Sequence, residues 1–233
     1  MNIKITATCG DKSVSVECKR PSWESVRKAY EKINKIYKEG KPQGAEAVFK
    51  KIGGEPYKEF LNNEQIIKKQ NTDGIAIEDI RRYTLNSCAL RMSYALNYSY
   101  LPTMQYLIKN QKLPNDTGKL KFENKRWFGA DENLYYLSIY GIRNFLTLNW
   151  GNSDKPHNLR TFKNESEVKE FYDTKFSKFD KNGIVVMKIN GWSDAGGHTT
   201  LWNGDKKQFE DFEISKNYLN GEYGVVDFQF WEL

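Results

Sequence analysis

Tyr83-Thr84-Leu85-Asn86-Ser87-Cys88-Ala89-Leu90-Arg91-Met92-Ser93-Tyr94-Ala95-Leu96-Asn97-Tyr98-Ser99 reads as a capped helix with a thiol in its first turn. Asn86 or Ser87 can accept one of the backbone N–H groups that a helix start leaves unpaired, and Ala89 to Leu96 holds good helix formers. Leu85, Ala89, Met92 and Leu96 recur three or four apart, so the spacing predicts one buried face. At that position the helix dipole favours a thiolate, and the free N–H groups point at whatever the sulfur attacks. The competing reading is bland: a lone helical cysteine is more often a small buried hydrophobe than a nucleophile.

What raises Cys88 above that reading lies far downstream. Gly196-Gly197-His198-Thr199-Thr200-Leu201-Trp202 places one of the chain's 2 histidines at the start of an apparent strand. A thiol at a helix N-terminus with a distant strand histidine is the arrangement of a papain-like nucleophile and its base. The other histidine lies in the polar loop Lys155-Pro156-His157-Asn158 and is expected at the surface. Asp205, Glu210 and Asp211 follow His198 closely, and hairpin register chooses among them. A two-residue turn at Asn203-Gly204 pairs His198 with Phe209 and sets Asp211 diagonal to it on one face. A four-residue turn over 203–206 pairs His198 with Asp211, and a three-residue turn brings Glu210 opposite. Directly opposed residues have Cβ atoms about 5 Å apart, near enough for a carboxylate to hold an imidazole. Asp211 is favoured in two registers of three, with Glu210 the alternative.

The chain has 233 residues, 39% hydrophobic and 14% aromatic, which suits one globular domain spanning 1–233. Its net charge of +6 is scattered along the sequence, and no helix-turn-helix, zinc-finger or RNP-like pattern points to nucleic acid. No apolar run approaches the ~18 residues of a membrane span. Met1 to Cys9 alternates apolar and polar residues, so it is expected to be a strand and not a secretory signal. A hairpin turning at Gly10-Asp11-Lys12-Ser13 would set Cys9 opposite Val14 and Cys18 opposite Ile5, too far apart for a disulfide. The 3 cysteines and 2 histidines show no zinc-ligand spacing.

In chain order, residues 1–20 read as a two-stranded addition. Arg20-Pro21-Ser22-Trp23-Glu24 opens a helix with Trp23, Val26, Tyr30, Ile33 and Tyr37 at helical spacing, and Glu39-Gly40-Lys41-Pro42 ends it. Ala45 to Lys51 is a second short helix, stopped by Gly53-Gly54. Residues 55–82 are polar and mixed. Helix continues over Tyr100 to Gln111 after a break at Pro102, and 110–133 is rich in loops. Asn133 to Trp150 holds a short strand and a helix packing Ile142, Phe145, Leu146 and Leu148. Ser166 to Phe179 is amphipathic, with Val168, Phe171, Tyr172 and Phe176 on one side. Strands then follow at Ile184–Ile189, His198–Trp202, Gln208–Phe212 and Val225–Trp231. Helices first and an antiparallel sheet afterwards make the fold class α+β.

Several blocks, taken together and in order, resemble the fourth family of type VI secretion amidase effectors. They are Arg20-Pro21-Ser22-Trp23, Val48-Phe49-Lys50-Lys51-Ile52-Gly53-Gly54, Asn86 to Asn97, Gly191-Trp192-Ser193-Asp194-Ala195-Gly196-Gly197-His198 and Leu201-Trp202-Asn203-Gly204. The resemblance implies a papain-like cysteine amidase with the nucleophile at a helix N-terminus, packed on an antiparallel sheet, and residues 1–20 as an extra hairpin. It implies cleavage of the γ-D-glutamyl–diaminopimelate bond of peptidoglycan stem peptides by Cys88, His198 and Asp211, without metal or cofactor. An immunity protein in the producer and the type VI machinery are the implied partners. The implied route runs from the bacterial cytoplasm, with no signal peptide, to the recipient periplasm. On that reading the backbone N–H groups at the helix start, that of Cys88 included, are expected to hold the oxyanion. Acyl transfer or deamidation by the same thiol is the rival chemistry, and a non-enzymatic wall-binding module the rival class.

Overall fold

Ile184-Val185-Val186-Met187 is a continuous apolar run, and in a strand such a run means that both faces are covered. The computed structural model, which describes residues 3–18, 20–38, 41–42, 44–74, 85–99, 124–192, 195–211 and 216–233, bears this out. Strand β8 (Gly183–Ile189) is central in a five-stranded antiparallel sheet ordered β10-β9-β8-β11-β7. Its neighbours are β9 (Gly197–Asn203) and β11 (Val225–Glu232), and the edges are β10 (Gln208–Phe209) and β7 (Arg160–Thr161). Alternate residues point to opposite sides. Ile184 and Val186, with Leu201 and Trp231, face one core; Val185, Met187 and Ile189, with Trp202, Phe228 and Phe230, face another.

The first core is closed by helices α1 (Trp23–Asn34), α4 (Cys88–Tyr98) and α5 (Ile139–Trp150), which supply Val26, Tyr30, Ala89, Met92, Ile142 and Phe145. The second is closed by α6 (Glu165–Thr174) and a 3-10 turn at Phe176–Lys178, through Val168, Phe171 and Phe176. Burying each such side chain contributes about 1.5–3 kcal/mol. A third cluster joins Leu90 and Tyr94 of α4 to Val48, Phe49 and Ile52 of α2 (Ala45–Ile52), and to Trp127 and Tyr135. Those last two belong to the small sheet of β5 (Arg126–Phe128) and β6 (Leu134–Tyr136). Helix α4 therefore packs on two sides, and Cys88 through Asn97 are all buried where a single buried face was expected.

Other expectations shift in instructive ways. Ser22 caps α1 by accepting from Ser25 N–H, and the helix stops at Asn34, one turn early, with Tyr37 in the short pair β3 (Tyr37–Lys38) and β4 (Lys41–Pro42). The stretch 55–82, read as polar and mixed, holds most of helix α3 (Gly54–Thr72). Only Pro56 and Asn63 of that helix are buried, so it lacks the apolar stripe that periodicity detects. Strand β5 falls where loops were expected, and Leu148 of α5 is exposed instead of packed.

The N-terminal hairpin pairs β1 (Ile3–Cys9) with β2 (Lys12–Cys18) in a tighter register than expected: Cys9 faces Lys12 and Cys18 faces Ile3. Gly10, at φ +59°, permits the two-residue turn. The helix expected over 100–111 lies outside the described residues, and of the strand expected at Gln208–Phe212 the structure keeps Gln208–Phe209, leaves Glu210 and Asp211 outside regular strand, and does not describe Phe212. Among the described residues no helix is long and apolar enough to cross a membrane.

Candidate active site

Asn86 Oδ1 accepts the Cys88 N–H at 2.9 Å, closing a turn that launches α4 with Cys88 as its first residue. Ser87 holds the cap position without a side-chain bond to the helix; its hydroxyl instead accepts from Arg91 Nε at 3.0 Å. Of the two residues able to cap, Asn86 does so. The Cys88 N–H is consequently occupied, a difference from the open donor expected at the sequence level.

Strand β9 brings His198 to this helix start. Cys88 Sγ lies 4.0 Å from the carbonyl oxygen of Gly197. Gly197 is required there, because an added Cβ would sit 2.2 Å from Ile139 Cδ1 and 2.3 Å from the Met187 oxygen. His198 Nε2 lies 3.4 Å from Asp211 Oδ2, an ion-pair contact that is not an in-line hydrogen bond. The Cys88 side chain stands close enough to the imidazole to help raise its pKa, and both residues line one cavity.

Burial by itself would depress the imidazole pKa. The charge of the adjacent Asp211 and, to a smaller extent, Cys88 outweigh it and raise the pKa to about 10. Burial likewise raises the Asp211 carboxyl, but the imidazolium and the hydroxyls around it hold the pKa below its ordinary value. Both directions favour the charged pair.

The carboxylate is held from behind. Thr200 Oγ1 donates to Asp211 Oδ1 at 3.0 Å, and the Tyr30 hydroxyl lies 3.3 Å from Thr200 Oγ1 and 3.4 Å from Asp211 Oδ1. Tyr218 lays its ring against the imidazole, with centroids 4.5 Å apart, and is near enough to Asp211 to feel its charge. Burial and the Asp211 charge push both phenols to higher pKa, so they remain donors. Tyr30, Thr200 and Tyr218 had no motif to mark them. Tyr30 read as one more apolar position of α1.

Asp211 reaches His198 by a register that none of the three predicted turns gives. The turn is Gly204 to Lys207, with Lys207 at φ +55°, and the ladder pairs Gln208 with Asn203 and Phe209 with Trp202. Extended by two residues, that register sets Asp211 opposite Thr200, diagonal to His198 on the same face. Glu210 points away: it accepts from Asn203 Nδ2 at 2.6 Å and pairs with Arg27 at 3.2 Å.

His157 corrects a second expectation. It is buried, boxed edge-on by Phe171, Phe176 and Phe179, and burial lowers its pKa to about 4. It belongs to the second core, away from Cys88. Among the described residues no three His, Cys, Asp or Glu side chains gather as metal ligands.

Cys88, His198 and Asp211 line a cavity of about 760 Å³, with Asn86, Arg91, Trp192 and Lys216 among its other walls. Such an arrangement can move a proton between sulfur and imidazole and keep the imidazolium charged.

Residues 84–231 match the model of the family described as type VI secretion system (T6SS), amidase effector protein 4. Among solved structures, the type VI effector–immunity complex Tae4–Tai4 from Salmonella Typhimurium is 25% identical, with a TM-score of 0.53 over 92% of this chain and 99% of that one. The corresponding complex from Enterobacter cloacae is 23% identical, with a TM-score of 0.53 and the same coverage. The effector alone from Enterobacter cloacae is likewise 23% identical at a TM-score of 0.53, over 92% of this chain and 97% of that one. Comparison with curated proteins returns no match.

Proposed function

We propose, for a chain that belongs to the type VI secretion system amidase effector 4 family, that Cys88, His198 and Asp211 form the triad of a papain-like cysteine amidase. The substrate is the peptidoglycan stem peptide, and the bond cut is the one between γ-D-glutamyl and diaminopimelate. The observation that carries this reading is that His198 lies 3.4 Å from Asp211 while Cys88 shares the wall of one cavity with both, its sulfur 4.0 Å from the carbonyl oxygen of the residue before His198.

In this mechanism His198 takes the Cys88 proton and the thiolate attacks the stem-peptide carbonyl. His198 then gives the proton to the leaving amine, and water activated by the same imidazole hydrolyses the thioester. Asp211 keeps Nε2 engaged, which leaves Nδ1 to serve the sulfur. The chain acts as one amidase domain with the β1–β2 hairpin appended. It is carried by the type VI machinery into the recipient periplasm, and an immunity protein protects the producer.

Digestion of diaminopimelate-type peptidoglycan by the wild-type protein and by Cys88→Ala, with mass spectrometry of the fragments, tests the proposal. Fragments cut between D-glutamate and diaminopimelate, absent with the variant, are expected. Wall left intact by folded wild-type protein would move acyl transfer or deamidation to the front.

A further inference from the structure

A tetrahedral adduct on Cys88 places a negative oxygen close to the start of α4, and the nearest backbone donor there is already taken. Cys88 N–H donates to Asn86 Oδ1 at 2.9 Å. A carboxamide has one acceptor end and one donor end. With Oδ1 fixed on the Cys88 N–H, the Nδ2 end is the one left for another partner, and among the described residues no acceptor meets it. Asn86 lines the same cavity as Cys88 and His198. An N–H already committed in the resting site is a poor oxyanion donor, whereas a carboxamide anchored through its oxygen is a preorganised one.

We propose that Asn86 is a catalytic residue whose Nδ2–H binds the oxyanion, an inference that rests on Cys88 being the nucleophile. The sulfur bonds to the carbonyl carbon while the C=O π pair moves onto oxygen, where Nδ2–H donates to it. Collapse restores the carbonyl as a thioester and breaks the C–N bond, and the amine leaves with the proton held on His198. Water adds to the thioester through a second oxyanion on the same donor. The acid product then leaves, and the thiol regains its proton.

Capping and oxyanion binding make separable demands on this position. Asp caps a helix start about as well as Asn but brings no donor. The test uses the full-length protein, Asn86→Asp and Asn86→Ala, each carrying Cys9→Ser and Cys18→Ser because Cys9 is a free, exposed thiol, with two reagents that then report on Cys88 whatever its natural substrate. Iodoacetamide displaces iodide at a saturated carbon and forms no oxyanion, so its rate reads the thiolate alone. Para-nitrophenyl acetate acylates through an oxyanion, and its nitrophenolate burst reads both. The ratio of acylation to alkylation is expected to fall about 10²–10³-fold in both variants, with Asn86→Asp melting like the wild type. A ratio within about threefold of wild type in the folded variants would leave Asn86 as a cap only and overturn the proposal. A wild-type Cys88 inert to iodoacetamide would instead sink the nucleophile assignment. Reactive Cys88 with intact peptidoglycan would refute the substrate while leaving the Asn86 test valid.

Discussion

The two histidines are pushed in opposite directions, which makes the site measurable without any substrate. His198 is raised to about 10 by Asp211 and Cys88 against the pull of burial, while burial takes His157 down to about 4. For His198 the gap from the ordinary value of 6.5 corresponds to on the order of 5 kcal/mol favouring the imidazolium. Asp211→Asn removes the largest of the raising influences and leaves burial nearly unopposed, so the imidazole pKa is expected to drop below 6.5. Cys88→Ala removes smaller ones and should lower it by less. Imidazole ¹⁵N chemical shifts followed through a pH titration give both values, since 2 histidines give two sets of signals. The expected wild-type result is one ring titrating near pH 4 and the other near pH 10. A His198 midpoint near 6.5, or one unmoved in Asp211→Asn, would refute the claim that the carboxylate governs the imidazole.

The same shifts set a stability profile. The lowered His157 pKa stabilises the fold fully above pH 6.5, and that stability is lost as pH falls toward about 4, by about 3 kcal/mol. The raised His198 pKa stabilises below pH 6.5, and its contribution is lost as pH rises through about 10. Thermal melts across pH should therefore peak near 6.5, and His157→Phe should flatten the acid limb alone. Tyr30→Phe removes the hydroxyl that contacts Thr200 and Asp211, with an expected loss of about 1 kcal/mol of stability and a few-fold fall in kcat with little change in KM. Arg20 donates to both Asp154 carboxylate oxygens and to the carbonyls of Glu232 and Trp150, so Arg20→Ala should destabilise by about 2–3 kcal/mol in urea unfolding. Gly197→Ala cannot fit its Cβ beside Ile139 and Met187; it should displace His198 and abolish turnover even if the protein still folds, as read by circular dichroism and activity together.

Patterns that depend on neighbours in sequence were legible, and contacts set by three-dimensional packing were not. The apolar run of β8 and the turn before Cys88 could be read directly, because period and capping are local chemistry. Helix α3 was invisible because its residues are helix formers without a buried stripe. Asp211 was chosen through a register the structure does not use. It still lies beside His198, because period two keeps Asp211 on the His198 face whether the turn is two residues or four. His157 looked exposed because its sequence neighbours are polar, yet Phe171, Phe176 and Phe179 close over it from elsewhere in the chain.

Cys88 belongs to the helical side of the first core, whereas His198 and Asp211 sit on and beside the sheet, and the sulfur meets a carbonyl 109 residues away. Neither half is a reactive centre by itself. If Cys88 and His198 act together as proposed, then in any partly assembled chain the thiol has no proton acceptor until α4 has docked on β9, an event that must close a long loop. On the proposed triad, chemical competence waits for that docking, and partly assembled copies are silent. Topology acts here as a safety catch.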